Sequence, residues 1–248
     1  MTEDETKSKL SLFIDKWATS WTATFLYIFL FVSFFFQAFS IPSASMNATL
    51  LTGDSLFVKK FKYGFVTPYI PFLNIEIIPG TDGHLVDFGG ATRGDIVVFR
   101  WPKNPNIMYV KRLVGMPGDK LFMEDKVLYI SFNEGDKWMR DSFPKEKLVT
   151  IGGILWAKNP LASKYPGIHN DSNVTKADLP NEEAIFNFPI TEVPEDEYFM
   201  IGDNRDHSND SRFWGTVKYG AFIGSPSIIY FSSTKSKFRL NRIFSMPE

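Results

Sequence analysis

The chain has 248 residues, 44% of them hydrophobic, enough for one substantial core or a core with a small satellite domain. Lys and Arg total 27 against 28 Asp and Glu. The first 40 residues hold three basic and four acidic side chains, so the rest carries 24 of each and offers no electrostatic case for nucleic acid. With no cysteine, disulfides, thiolate catalysis and cysteine-bound metal are excluded.

Residues 17–53 carry no charge, and the stretch from Trp21 to Phe39 is dominated by Phe, Leu, Ile and Tyr. That length suits a helix crossing a bilayer, which needs about 20 residues. Trp17 and Trp21 stand at its start, where amphipathic rings favour the interface. Lys7, Lys9 and Lys16 precede it and no basic residue follows before Lys59, which predicts a cytoplasmic N-terminus. A cleavable leader ending at Ala38-Phe39-Ser40 is the competing reading, opposed by Pro42 just behind it and by the length of the apolar run.

Beyond residue 40 the pattern becomes short β-type runs broken by Gly, Pro, Asn and Asp. Leu56–Val58, Asp95–Phe99, Met108–Val110, Val127–Ile130, Tyr198–Ile201 and Ser227–Tyr230 read as strands. The expected class is mainly β and antiparallel, behind one transmembrane helix. Residues 122–197, richer in charge, Asn and Pro, read as an inserted β-rich lobe. The predicted organisation is therefore 1–20 cytoplasmic, 21–39 transmembrane, 40–121 and 198–248 the two parts of a catalytic core, and 122–197 the lobe.

The candidate chemistry begins at Ser45, just past the apolar segment. A serine hydroxyl is a poor nucleophile until a base takes its proton. The three histidines are His84, His169 and His207, and only His207 lies in a motif-dense stretch. A lysine serves instead where burial lowers its pKa. Lys111, between Tyr109-Val110 and Leu113-Val114, has apolar neighbours, with Arg112 alternating to the opposite face. On the residues alone, an ordinary exposed strand lysine remains the default reading. No His-Glu-x-x-His stretch or phosphate loop is present, so no metal or cofactor is expected.

Five ordered blocks change that balance. They are Ser43-Ala44-Ser45-Met46-Asn47-Ala48-Thr49-Leu50, Gly53-Asp54 with Tyr63-Gly64, Arg93–Phe99, Tyr109–Asp119 and Gly202–Gly215. Together they resemble the bacterial type I signal peptidases, membrane-bound serine proteases with a lysine base. Ala48 stands where that family usually has proline.

The resemblance implies a membrane-bound serine endopeptidase that removes signal peptides from exported preproteins. Ser45 would be the nucleophile and Lys111 the general base. The oxyanion would be held by the Ser45 N–H and the Ser43 hydroxyl, Ser208 would orient the base, and Asp210 with Arg212 would form a supporting ion pair. Gly202, Asp203, Asn204 and Arg205 would shape the turn beneath. Phe39, Ile41, Met46, Leu50, Tyr109 and Val110 would line the substrate pockets, with core packing as their alternative. The implied partners are signal peptides and membrane lipid, not nucleic acid. The expected state is a monomeric, single-pass protein of the inner (plasma) membrane with its catalytic domain on the outer, periplasmic face.

Three rivals make different predictions. A Ser-Lys self-cleaving repressor would carry a DNA-binding domain in place of the apolar segment. A membrane-anchored β domain that only binds partners predicts that Ser45→Ala changes nothing. A Ser-His-Asp triad built on His207 predicts that His207→Ala abolishes activity while Lys111→Ala does not.

Overall fold

The computed structural model describes residues 11, 13, 14, 16–67, 69, 70, 75, 76, 83–234 and 236–247. Lys7 and Lys9, and with them most of the segment 1–20, lie outside the described residues. The chain divides into two compact units, Met1–Gln37 and Ala38–Glu248.

The first unit contains helix α1 (Trp21–Phe35). Ser20 starts it as an N-cap, its Oγ accepting the Ala23 N–H at 3.2 Å. The helix expected over 21–39 is shorter than expected. Fifteen residues at 1.5 Å each give about 22 Å, against roughly 30 Å of bilayer hydrocarbon. Among the described residues, no helix is long and apolar enough to cross a membrane. The physical reason for the early stop is sheet formation: residues 36–40 leave the helix to pair with the strand over 54–59.

In chain order the strands are β1 (Phe36–Ser40), β2 (Asp54–Lys59), β3 (Gly64–Val66), β4 (Tyr69–Ile70), β5 (Ile75–Glu76), β6 (His84–Asp87), β7 (Ile96–Trp101), β8 (Asn104–Gly115), β9 (Lys120–Glu124), β10 (Val127–Ser131), β11 (Leu148–Ile151), β12 (Ile154–Lys158), β13 (Phe188–Glu192), β14 (Glu197–Ile201), β15 (Val217–Lys218) and β16 (Phe222–Ser232). Helices α2 (Gly135–Ser142), α3 (Glu183–Phe186) and α4 (Ser211–Trp214) are short. A seven-stranded sheet has the order β1-β2-β16-β7-β8-β14-β15, and a five-stranded sheet the order β11-β12-β10-β9-β13. The registered pairs of both sheets are antiparallel. Five of the six strand runs expected from sequence fall within strands of this set, and the sixth, Asp95–Phe99, begins one residue before β7.

Strand β7 shows why the large sheet is buried on both sides. Ile96 and Val98 join a cluster with Ile41, Met46, Leu50, Leu56, Val58, Val110, Ile223 and Ile229, while Val97 and Phe99 join Tyr63, Leu113, Met200, Val217 and Phe222 on the other face. Such a strand reads as a continuous apolar run instead of an alternation. A third cluster links the sheets, with Val114, Phe199 and Ile201 packed among Leu121, Met123, Leu128, Ile130, Phe188 and Val193. Between the sheets the chain turns at Met116–Asp119, where the Asp119 carboxylate accepts the Met116 and Asn133 N–H groups and pairs with Arg93.

Candidate active site

Strand β8 sets the geometry. In its register with β7, Lys111 lies opposite Val97 and Arg112 opposite Ile96, so the two cations leave opposite faces of one strand. Both are buried, at 4% and 1% exposure. A charge so placed requires a partner, and each cation finds a different one.

Lys111 Nζ stands 2.7 Å from Ser45 Oγ and donates to the Val110 carbonyl at 3.0 Å. Its ammonium also lies 5.1 Å from the centre of the Tyr109 ring. Burial lowers the Lys111 pKa from its ordinary value to about 8. The charges of Asp210 and Asp203 oppose that shift, and Arg212 adds to it. Ser45 is itself buried. The Ser43 hydroxyl is 3.3 Å from Ser45 Oγ, and the Ser45 N–H donates to no group among the described residues. A serine hydroxyl, a buried lysine amine, a second serine hydroxyl and a backbone N–H thus meet at one point.

The turn carrying Ser45 is held on its underside by the loop 202–206. Arg112 gives Asp203 two hydrogen bonds, from Nε at 2.8 Å and from a terminal nitrogen at 2.7 Å, and a third to the Gly94 carbonyl at 2.7 Å. The Tyr165 ring covers its guanidinium at 4.1 Å. Asp203 also accepts the Thr49 hydroxyl at 2.5 Å. Asn204 donates its backbone N–H to the Ser45 carbonyl at 3.2 Å and its side-chain amide to the Ala44 carbonyl at 3.1 Å. Sequence places Arg112 on the face opposite Lys111 and Asn204 in the turn beneath, but it does not show their partners or the Thr49 contact. The available signal was alternation: an arginine beside a buried lysine faces the other way and needs a buried carboxylate.

The side chains of Asp210 and Arg212 are fully buried and joined by bonds of 2.8 and 2.9 Å. Asp210 also caps α4 through the Arg212 N–H and accepts the Gly202 N–H at 3.0 Å. Burial would raise the Asp210 pKa, but the Arg212 charge and its hydrogen bonds hold it below the usual carboxylate range. Ser208 is buried beside Gly202 yet makes no hydrogen bond to Lys111 among the described residues. Its hydroxyl faces Asp210 closely enough to favour the ionised carboxylate without reaching full hydrogen-bond geometry.

Of the six expected pocket residues, Ile41, Met46, Leu50 and Val110 are buried in the apolar cluster beneath the turn, while Phe39 and Tyr109 keep exposed surface. His207 is exposed, and His169 is bound into the loop by its N–H to the Asp203 carbonyl at 2.9 Å. A cavity of about 780 Å³ lies elsewhere, between Asp87, Trp101, Glu195 and Tyr219.

A family model described as signal peptidase, peptidase S26, matches residues 14–231. A Signal peptidase I of Helicobacter pylori is 37% identical over 236 residues, covering 86% of this chain and 81% of that protein. One from Buchnera aphidicola, of the Acyrthosiphon pisum subspecies, is 34% identical over 275 residues, covering 97% and 84%. One from Pseudomonas aeruginosa is 35% identical over 187 residues, covering 75% and 58%.

Proposed function

Since the chain belongs to the signal peptidase family, peptidase S26, we propose that Ser45 is its nucleophile and Lys111 its general base. The protein is a serine endopeptidase that removes signal peptides from preproteins. The observation that carries the proposed roles is the 2.7 Å approach of Lys111 Nζ to Ser45 Oγ in a buried setting that brings the lysine near neutrality.

In this reading Ser45 Oγ attacks the scissile carbonyl carbon as its proton passes to neutral Lys111. The Ser45 N–H and the Ser43 hydroxyl hold the oxyanion, a type of donor worth roughly 2.7 to 4 kcal/mol each in serine enzymes. Collapse breaks the peptide bond, and the leaving amine takes the proton from Lys111. A water then attacks the acyl ester, with Lys111 again accepting and returning a proton. Asp210 and Arg212 support the loop below, and the Ser208 hydroxyl, buried beside Gly202, is the one assigned to orient Lys111. Phe39 and Tyr109 form the exposed pocket wall, with Ile41, Met46, Leu50 and Val110 behind it. The substrate lies as an added strand along this surface.

The reading includes attachment to the inner membrane, single-pass, with the N-terminus cytoplasmic and the body over 38–248 on the periplasmic face. The uncharged run 17–53 and apolar α1 support it. One chain supplies Ser43, Ser45 and Lys111, so a monomer suffices. The test is cleavage of a preprotein bearing an Ala-x-Ala site by detergent-solubilised enzyme. Loss of cleavage in Ser45→Ala and in Lys111→Met, with activity kept in His207→Ala, is expected. Cleavage surviving Lys111→Met removes the lysine base.

A further inference from the structure

The Gly53-Asp54 block has no part in the chemistry above, yet Asp54 is wholly buried and heavily engaged. Its carboxylate accepts the Leu51 N–H at 2.8 Å and the Ser232 hydroxyl at 2.6 Å. Two arginines complete the shell. Arg242 reaches both oxygens, from Nε at 3.1 Å to each and from a terminal nitrogen at 2.7 Å, and Arg239 reaches one at 3.3 Å.

The same guanidinium groups also grip the backbone that follows Ser45. Arg242 donates to the Thr49 carbonyl at 2.9 Å and Arg239 to the Thr52 carbonyl at 2.7 Å. Thr49 is therefore held from two sides, by Asp203 through its hydroxyl and by Arg242 through its carbonyl. The arginines are themselves fixed. Arg239 Nε donates to Ser232 Oγ at 2.7 Å, and Phe244 and Ser245 pair with Ile229 of β16 through backbone bonds of 2.7 and 3.0 Å. Both arginines lie past residue 231, where the family match ends.

We propose that Arg242, assisted by Arg239, is a positioning residue for the nucleophile turn: by bridging Asp54 and the Thr49 carbonyl it fixes Ser45 at hydrogen-bonding distance from Lys111. This rests on Ser45 being the nucleophile. A planar guanidinium makes this double contact, whereas a lysine supplies the charge without the fork. An error of about 1 Å in placing a reacting group costs as much as a hundredfold in rate.

The experiment uses the full chain in detergent with a preprotein substrate, comparing the parent with Arg242→Ala, Arg242→Lys and Ser45→Ala well below each melting temperature. The expected result for Arg242→Ala is a kcat roughly tenfold to a hundredfold down with KM unchanged. Arg242→Lys should fall between it and the parent, and added guanidinium ion should restore part of the alanine variant's rate. A folded Arg242→Ala with parental kcat, or a loss confined to melting temperature, overturns the proposal. Should the alanine variant not fold, Arg242→Lys decides: parental kcat overturns the proposal, and a reduced kcat at unchanged KM supports it. Undiminished cleavage by Ser45→Ala would instead overturn the nucleophile assignment, whatever the arginine variants do.

Discussion

Arg112 and Asp203, 91 residues apart, form a doubly hydrogen-bonded pair whose members are 1% and 0% exposed, and the turn bearing Ser45 rests on that pair through Thr49. Removing one member strands a buried charge, which typically costs about 3 to 5 kcal/mol. Asp203→Ala is therefore expected to lower stability by roughly that amount in a denaturant melt and to lose cleavage. Replacing both partners with apolar residues should recover much of the stability without the activity, separating the pair's structural part from its part in the turn.

Cleavage should depend on pH in one direction only around Lys111. With the neutral amine as the proposed base and its pKa lowered to about 8, kcat should rise as pH increases through about 8 and level off above it. A profile falling across that window would point to a protonated group as the reacting species.

The same shift has a consequence for stability. Lys111 binds its proton less well folded, at about 8, than unfolded, near 10.5, so the unfolded chain holds more protons between those values and stability rises with pH there. Below about 8 the buried charge is a standing penalty. Lys111→Met should therefore melt higher than the parent at pH 7 while being inactive, with the gap closing as pH approaches 10.5. Calorimetry at three pH values would measure it.

Ala48 has φ +75°, in the left-handed region, within the turn closed by the Thr49 N–H to the Met46 carbonyl at 3.1 Å. A side chain there costs about 1 to 2 kcal/mol, so exposed Ala48→Gly should be neutral or stabilising by up to about 1 kcal/mol. Ala48→Pro, the residue usual in the resembling family, demands φ near −65° and should cost about 3 kcal/mol or more and disturb Ser45. Thermal melts and cleavage rates of the two variants give the comparison.

Residues 122–197 are proposed as a lobe with the core beside it. Val114, Phe199 and Ile201 of the large sheet are packed against that region. Replacing 122–197 with a short turn should uncover them and leave a chain without a cooperative melt, whereas a cooperative melt would show the lobe to be separable.

Much of this arrangement is legible in the residues. The six strand runs stand out because β-branched and aromatic residues sit between turn formers, and the serine and lysine blocks point to the proposed reacting pair. The extent of α1 is not legible, since Phe36 and Phe39 continue the aromatic, uncharged character of the helix while the segment Phe36–Ser40 forms a strand beside β2. Strands β11 to β13 lie in charged, proline-interrupted sequence that carries little alternation. The left-handed turn at Ala48 has no local signal, because alanine is not a turn former. The clamp on Asp54 also escapes a local reading, since its partners lie 185 and 188 residues away.

Those separations bear on timing. Thr49 meets Asp203 across 154 residues and Arg242 across 193. A chain made from its N-terminus exposes Ser45 early, but the groups that shape its turn emerge near the end of synthesis. The nascent protein therefore passes most of its synthesis with its proposed nucleophile in no finished seat, a delay in arming set by the order of translation.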